Sequence, residues 1–333
     1  MRAMVLREFK PVEEKPLKLE EAELPVPGPR EILVKIEYCG VCHTDLHTVE
    51  GELPLVNLPR IPGHQVVGTV EQLGEEVSFF RRGDRVGVAW LYSSCGHCRF
   101  CRSGKENLCL EARFTGYQVD GGYAEYLVVP EEYAYELPEE FPPEQAAPLL
   151  CAGIIGYRAL RLSRVKPGEK LGLFGFGASA HVTIQVARHW GIEVYVFSRS
   201  KEHRQHALDL GARWAGRSEE SPQEKLHGAI VFAPVGEAVR QALRVIDRGG
   251  TVALAGIYMS AIPELDYEKD LYYEKCLKSV ANATRQDGVE FIKIASEIPV
   301  RTDVNVYPLE MANEALFDVK HSRINGAAVL KIL

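Results

Sequence analysis

The chain has 333 residues, 46% of them hydrophobic, and a formal net charge of −7. That length exceeds one ordinary core and suits two domains. No long run of Lys or Arg and no apolar run of membrane-spanning length is present, which argues against nucleic-acid and membrane partners. Met1 leads into a mixed polar stretch without the apolar core of a signal peptide. The expectation is a cytoplasmic protein whose closely spaced thiols stay reduced and serve as metal ligands.

In chain order, the first 150 or so residues read as short strands broken by Gly and Pro. Strands are expected at 31–38, 65–73, 85–89 and 123–129, with turns at 25–29, 83–84 and 120–122. The pattern changes near residue 152. Strands at 170–174, 193–197, 228–232 and 251–255 alternate with helices that follow the glycine turn at 175–180 or lie at 201–210 and 237–246. That alternation predicts a doubly wound parallel sheet. A helix at 288–296 and strands at 304–308 and 327–332 close the chain.

Gly175-Phe176-Gly177-Ala178-Ser179-Ala180 follows a predicted strand and opens a helix, the context a dinucleotide-binding turn requires. Gly175 permits the tight turn, Gly177 lets a pyrophosphate approach the backbone, and Ala180 lets helix and strand pack closely. About 20 residues on, a carboxylate would select NAD by binding its ribose 2′-OH. This chain instead reads Ser198-Arg199-Ser200-Lys201, with Arg204 nearby. Hydroxyl donors and positive charge suit a 2′-phosphate, so the expected cofactor is NADP(H) over NAD(H).

Eight cysteines fall into two groups and two singles. Cys95, Cys98, Cys101 and Cys109 have a spacing that lets one loop wrap a tetrahedral ion. A structural zinc is expected there, with an iron–sulfur cluster the competing occupant. Cys42 and Cys151 are far apart, with His64 between them; a Cys/His/Cys set leaves a fourth position open for chemistry. Cys39 and Cys276 have no assigned role.

Five motifs together carry a resemblance that covers essentially the whole chain. They are Gly40-Val41-Cys42-His43-Thr44-Asp45-Leu46-His47, Pro62-Gly63-His64, the four-cysteine run, Cys151-Ala152-Gly153 and the glycine turn. The chain resembles zinc-dependent alcohol dehydrogenases of the medium-chain dehydrogenase/reductase superfamily. The resemblance implies an α/β protein with a mainly β, GroES-like catalytic domain (1–152 and 286–333) and an inserted Rossmann domain (153–285). It implies two zinc ions per chain: a catalytic one on Cys42, His64 and Cys151, and a structural one in the lobe at 95–109. It further implies that Thr44 lies beside the substrate oxygen, that His47 ends a proton relay, that Asp45 orients His64, and that His43 contacts the cofactor pyrophosphate. Trp90 matches a residue that lines the substrate cleft.

Three positions depart from the family pattern: Gln65 for a Glu beside the zinc ligand, Ile155 for a Thr near the nicotinamide, and Ala327 for an Arg on the pyrophosphate. Trp90 and Ile155 suggest an apolar pocket that limits bulk. The expected activity is hydride transfer between NADP(H) and a primary alcohol or aldehyde, working as an aldehyde reductase, in a homodimer or homotetramer. An NAD-dependent alcohol or polyol dehydrogenase is one alternative. A zinc-stabilised nucleotide-binding protein without turnover is another.

Overall fold

The structure, a computed structural model, describes residues 1–54, 56–298, 300–324 and 326–333. Strands β1 (Arg2–Leu6), β2 (Leu17–Glu21) and β3 (Glu31–Val41) precede helix α1 (His43–Glu50). Then come β4 (Gln65–Leu73), β5 (Arg85–Val88), β6 (Leu91–Ser93), β7 (Arg113–Phe114), β8 (Tyr126–Pro130), β9 (Ala134–Glu136), α2 (Pro143–Pro148) and α3 (Ile154–Ser163). The alternating segment is β10 (Lys170–Phe174), α4 (Ala178–His189), β11 (Glu193–Phe197), α5 (Lys201–Asp209), β12 (Trp214–Gly216), β13 (Leu226–Val231), α6 (Gly236–Val245), β14 (Ile246–Leu254) and β15 (Cys276–Ser279). Helix α7 (Arg285–Glu297), β16 (Val304–Pro308), α8 (Ala312–Lys320) and β17 (Ala327–Lys331) end the chain.

One compact unit comprises Met1–Cys151, Thr284–Ile292 and Arg301–Leu333. Its main sheet runs β16-β17-β3-β4-β5-β9, with β8 also paired to β3, so strands from both ends of the chain lie side by side. The long β3 anchors it: Ile32, Val34 and Ile36 alternate into a core with Val66, Val70, Tyr123 and Leu316. Each large apolar side chain buried this way contributes about 1.5–3 kcal/mol. Cys39 is wholly buried in the same core, which gives that unassigned cysteine an apolar packing role. The β1–β2 pair was not expected from the sequence; Leu17 and Leu19 alternate with Lys18 and Glu20 on β2.

The other unit comprises Ala152–Ala283 and Lys293–Val300. The sequence puts a boundary at 285/286, yet residues 293–300, past it, group with this unit. Its six strands are all parallel, in the order β12-β11-β10-β13-β14-β15. Counted from the first strand this is 3-2-1-4-5-6, the Rossmann order. The strands read as near-continuous apolar runs because helices cover both faces. Phe174 on β10 stacks on Phe197 on β11 with ring centroids 4.1 Å apart. The Rossmann order places a crevice at the carboxyl end of β10, where the strand order reverses.

Candidate metal centres and dinucleotide turn

Cys42 sits at the hinge between β3 and α1, in extended conformation, as the N-cap of the helix. Its Sγ accepts a hydrogen bond from Thr44 N at 3.3 Å, while Cys42 N donates to Asp45 Oδ2 at 3.0 Å. The result is a reciprocal capping box in which a sulfur replaces the usual hydroxyl. A helix N-terminus favours a negative thiolate there. His64 immediately precedes β4, the neighbour of β3, so strand pairing carries it to the same place. Cys151 lies in a single π-helical turn, Leu149–Gly153.

The donor atoms of Cys42, His64 and Cys151 lie within 4.8 Å of one another. His64 Nε2 is 3.6 Å from Cys42 Sγ. Zinc bonds of about 2.3 Å to sulfur and about 2.0–2.1 Å to nitrogen give a tetrahedral S···N edge of about 3.6 Å, so the donors fit the ion in type and spacing. Asp45 Oδ1 accepts from His64 Nδ1 at 2.8 Å, both groups being fully buried. That contact fixes the tautomer that turns Nε2 toward the sulfurs. The mutual hydrogen bond of the two cysteines lowers Cys42 well below the ordinary thiol range and raises Cys151 well above it. Burial disfavours a charged His64, but the Asp45 carboxylate and Cys42 outweigh it and raise its pKa to about 10. His64 and Cys151 thus hold protons that a bound cation would displace.

Thr44 is buried on the first turn of α1, and its carbonyl accepts from Thr48 Oγ1 at 2.8 Å. His47 lies on the last turn of α1, where Nδ1 contacts the Glu52 carboxylate. His43 is exposed on the first turn. Trp90 meets the His64 ring edge-on, with centroids 5.0 Å apart, and stacks on Phe114 and Tyr117. An aromatic wall thus adjoins the His64 donor. Gln65 is buried beside them on β4, opposite Gly40 of β3, and its Nε2 has no hydrogen-bond partner.

The four sulfurs of Cys95, Cys98, Cys101 and Cys109 also converge within 4.8 Å. Cys101 Sγ lies 3.5 Å from Cys98 Sγ and 3.9 Å from Cys95 Sγ. Tetrahedral zinc–thiolate geometry puts such edges at about 3.8 Å. Backbone N–H groups already point at the sulfurs: Cys98 N donates to Cys95 Sγ and Cys95 N to Cys109 Sγ. Buried Glu106 accepts from Arg285 N at 2.8 Å and ties the lobe to the start of α7. His97 is exposed, its Nδ1 2.8 Å from the Cys95 carbonyl oxygen.

In the parallel-sheet unit, Gly175 takes φ +90° directly after β10, a conformation that side chains rarely adopt. Gly177 caps α4, and a Cβ built on it would meet nothing within 4 Å, so its backbone faces open space that a pyrophosphate could fill. Ala180 is wholly buried between helix and sheet. Ser198 is buried after β11, while Arg199 and Lys201 are exposed. Two residues expected to meet the cofactor are engaged in shaping this loop. Ser200 caps α5 by accepting from His203 N and donates its own hydroxyl to Glu202, and Arg204 Nη1 donates to the carbonyls of Ser198 and Arg199, each at 2.8 Å. Ile155 is half-buried on α3 of this unit, and Ala327 is buried on β17 of the other.

Residues 28–139 match the alcohol dehydrogenase GroES-like domain, and residues 180–297 match the zinc-binding dehydrogenase domain. The chain is 46% identical to a Mycobacterium tuberculosis (strain CDC 1551 / Oshkosh) protein named "Probable alcohol dehydrogenase AdhA", over all of this chain and 97% of the other. It is 39% identical to an alcohol dehydrogenase of Geobacillus stearothermophilus, over 100% of both chains. Among solved structures, the cobalt- and zinc-bound thermostable alcohol dehydrogenase of Pyrobaculum aerophilum superposes with TM-score 0.90 at 29% identity, covering 100% of this chain and 99% of that one. CAD from Helicobacter pylori, complexed with NADP(H), gives 0.88 at 27%, covering 99% of each. An α/β fold that joins a GroES-like unit to a Rossmann-type sheet, with two sets of thiolate-type donors, defines a zinc-type dehydrogenase. The chain belongs to the alcohol dehydrogenases of the medium-chain dehydrogenase/reductase superfamily.

Glu52 was not singled out in the sequence. The signal was present: a glycine just past the end of α1, followed by an acidic residue.

Proposed function

We propose that this alcohol dehydrogenase transfers a hydride between NADP(H) and a primary alcohol or aldehyde, working chiefly as an aldehyde reductase. In this reading one zinc ion is held by Cys42, His64 and Cys151 and a second, structural one by Cys95, Cys98, Cys101 and Cys109. The observation that carries it is the partly buried three-donor set that converges on Cys42 at the N-terminus of α1, with buried His64 oriented by Asp45.

When bound, the catalytic zinc supplies Lewis acidity for the substrate oxygen and the nicotinamide supplies the hydride. The protein's own groups do the rest. Thr44 passes a proton to or from that oxygen, and His47 exchanges it with solvent. Trp90 presents an apolar wall that favours substrates slender beside the zinc donors. The open backbone at Gly177 and the N-terminus of α4 bind the pyrophosphate. Arg199 and Lys201, exposed on the loop that Arg204 and Ser200 shape, bind the 2′-phosphate, and Ser198 borders it. The working form in this reading is a cytoplasmic homodimer or homotetramer.

The test is a panel of alcohols and aldehydes assayed in both directions with each cofactor. The proposal expects the highest kcat/KM with NADPH and a primary aldehyde. A clearly higher value with NADH overturns the cofactor assignment, and a preference for secondary alcohols or polyols overturns the substrate class.

A further inference from the structure

Helix α1 ends in a specific closure. Gly51 N donates to Thr48 O at 3.3 Å and Glu52 N donates to His47 O at 2.9 Å, with Gly51 at φ +73°. This is the Schellman pairing, in which the residue after the glycine is folded back over the residue five positions before it. Usually two apolar side chains meet there. Here an acid meets an imidazole: the Glu52 carboxylate contacts His47 Nδ1. Replacing Gly51 would break the closure, since a Cβ there is conformationally strained and would lie 3.1 Å from Phe9.

A carboxylate can only accept a hydrogen bond, so His47 Nδ1 carries the hydrogen and Nε2 holds the lone pair. The His47 side chain is 15% exposed and that of Glu52 53% exposed, so the ring is largely screened while the carboxylate reaches water. In carboxylate–imidazole pairs of catalytic triads, the carboxylate fixes the tautomer and stabilises the protonated ring without taking the proton itself.

We propose that Glu52 is the positioning residue of the proton relay, holding His47 in the tautomer that exchanges protons through Nε2. The inference rests on the relay reading of Thr44 and His47 given above. During alcohol oxidation a proton arriving from the Thr44 side bonds to Nε2 while the Nδ1 hydrogen stays on the ring against Glu52. The Nε2 proton then passes to water. Aldehyde reduction runs the same transfers backwards. The other ionisable groups near the ring are His43, with its ring centroid 6.3 Å away, and those on the elements packed against α1. The latter, among the described residues, are Glu13 and Glu14 on the Val12–Glu14 turn and Glu314, Asp318 and Lys320 on α8; Lys320 pairs with Glu13 and with Glu50 of α1 itself, His321 just past α8 pairs with Glu13, and Glu314 pairs with Lys15.

The experiment measures kcat and KM for alcohol oxidation against pH in the zinc-loaded full chain, with Glu52→Gln, Glu52→Asp, His47→Asn and the Glu52→Gln/His47→Asn double variant. Glu52→Gln is expected to lower kcat about 3- to 10-fold, less than full loss of a general base because water can partly substitute. KM for the alcohol stays unchanged. Glu52→Asp restores most of the rate, and Glu52→Gln costs nothing further once His47 is Asn. Wild-type kcat in Glu52→Gln, or an additional loss in the double variant, overturns the proposal and leaves Glu52 as a helix-capping residue. Unchanged kcat in His47→Asn overturns the relay reading itself and this proposal with it.

Discussion

The lobe at 95–109 gathers four sulfurs from one loop, half-exposed and held mainly by the loop's own backbone N–H groups. The group at Cys42, His64 and Cys151 draws on the end of β3, the start of β4 and a distant π-helical turn, and keeps a buried carboxylate behind its imidazole. A local, four-sulfur loop with little regular secondary structure depends on its ion for closure. A three-donor set supported by a sheet, a helix cap and Asp45 keeps its shape for a reason other than the ion. Metal in the lobe should therefore contribute to folding, and metal at the other site to chemistry.

Removing one donor from each group breaks that comparison most directly. Cys42→Ser or His64→Ala is expected to lower kcat by at least about a thousandfold, since electrostatic stabilisation at the reacting oxygen is lost. NADP(H) binding and the melting temperature should change little, which a titration of reduced-cofactor fluorescence and a thermal melt would reveal. Cys98→Ser should do the reverse. A drop in Tm of about 10 °C is expected for the loss of several kcal/mol of zinc-linked folding energy, with kcat per folded chain retained. A normal melt combined with reduced kcat would assign the lobe to chemistry instead.

Smaller changes sharpen the contrast. Asp45→Asn preserves size but removes the charge behind His64, and is expected to weaken zinc binding at the open site by about 10- to 100-fold without affecting the lobe. Competition with a chelator, following the two ions separately, measures this; equal loss at both sites contradicts it. Arg199→Ala, in the parallel-sheet unit, should lower kcat/KM for NADPH about 5- to 10-fold and leave NADH nearly unaffected, as expected for one exposed charge-assisted contact. An equal fall with both cofactors would place Arg199 outside phosphate recognition.

Much of this was legible in the sequence because local chemistry carried it. The cysteine spacing of the lobe, the glycine turn and the strand–helix alternation from 170 to 255 each work within a short window. The open site was suggested by its Cys/His/Cys composition but assigned as a zinc site only through the resemblance to a family, because nothing local links Cys151 to Cys42. Elements that depend on neighbours escaped. Strand β12 has three residues and β15 is a half-exposed strand at the sheet edge, so neither shows a clear apolar pattern. Arg204 reads as a free cation near a phosphate, but its guanidinium is spent on two loop carbonyls, a contact set by the fold of that turn. Glu52 reads as one more surface acid until the closure after α1 folds it onto His47.

The central claim is that two zinc ions of different purpose sit in one chain. Zinc per folded chain, measured by elemental analysis alongside turnover in wild type, Cys42→Ser and folded Cys98→Ser, tests it most directly. The expected result is two ions and full turnover in wild type, one ion and no turnover in Cys42→Ser, and one ion with turnover retained in Cys98→Ser. One ion in wild type, or full turnover in Cys42→Ser, would contradict the account.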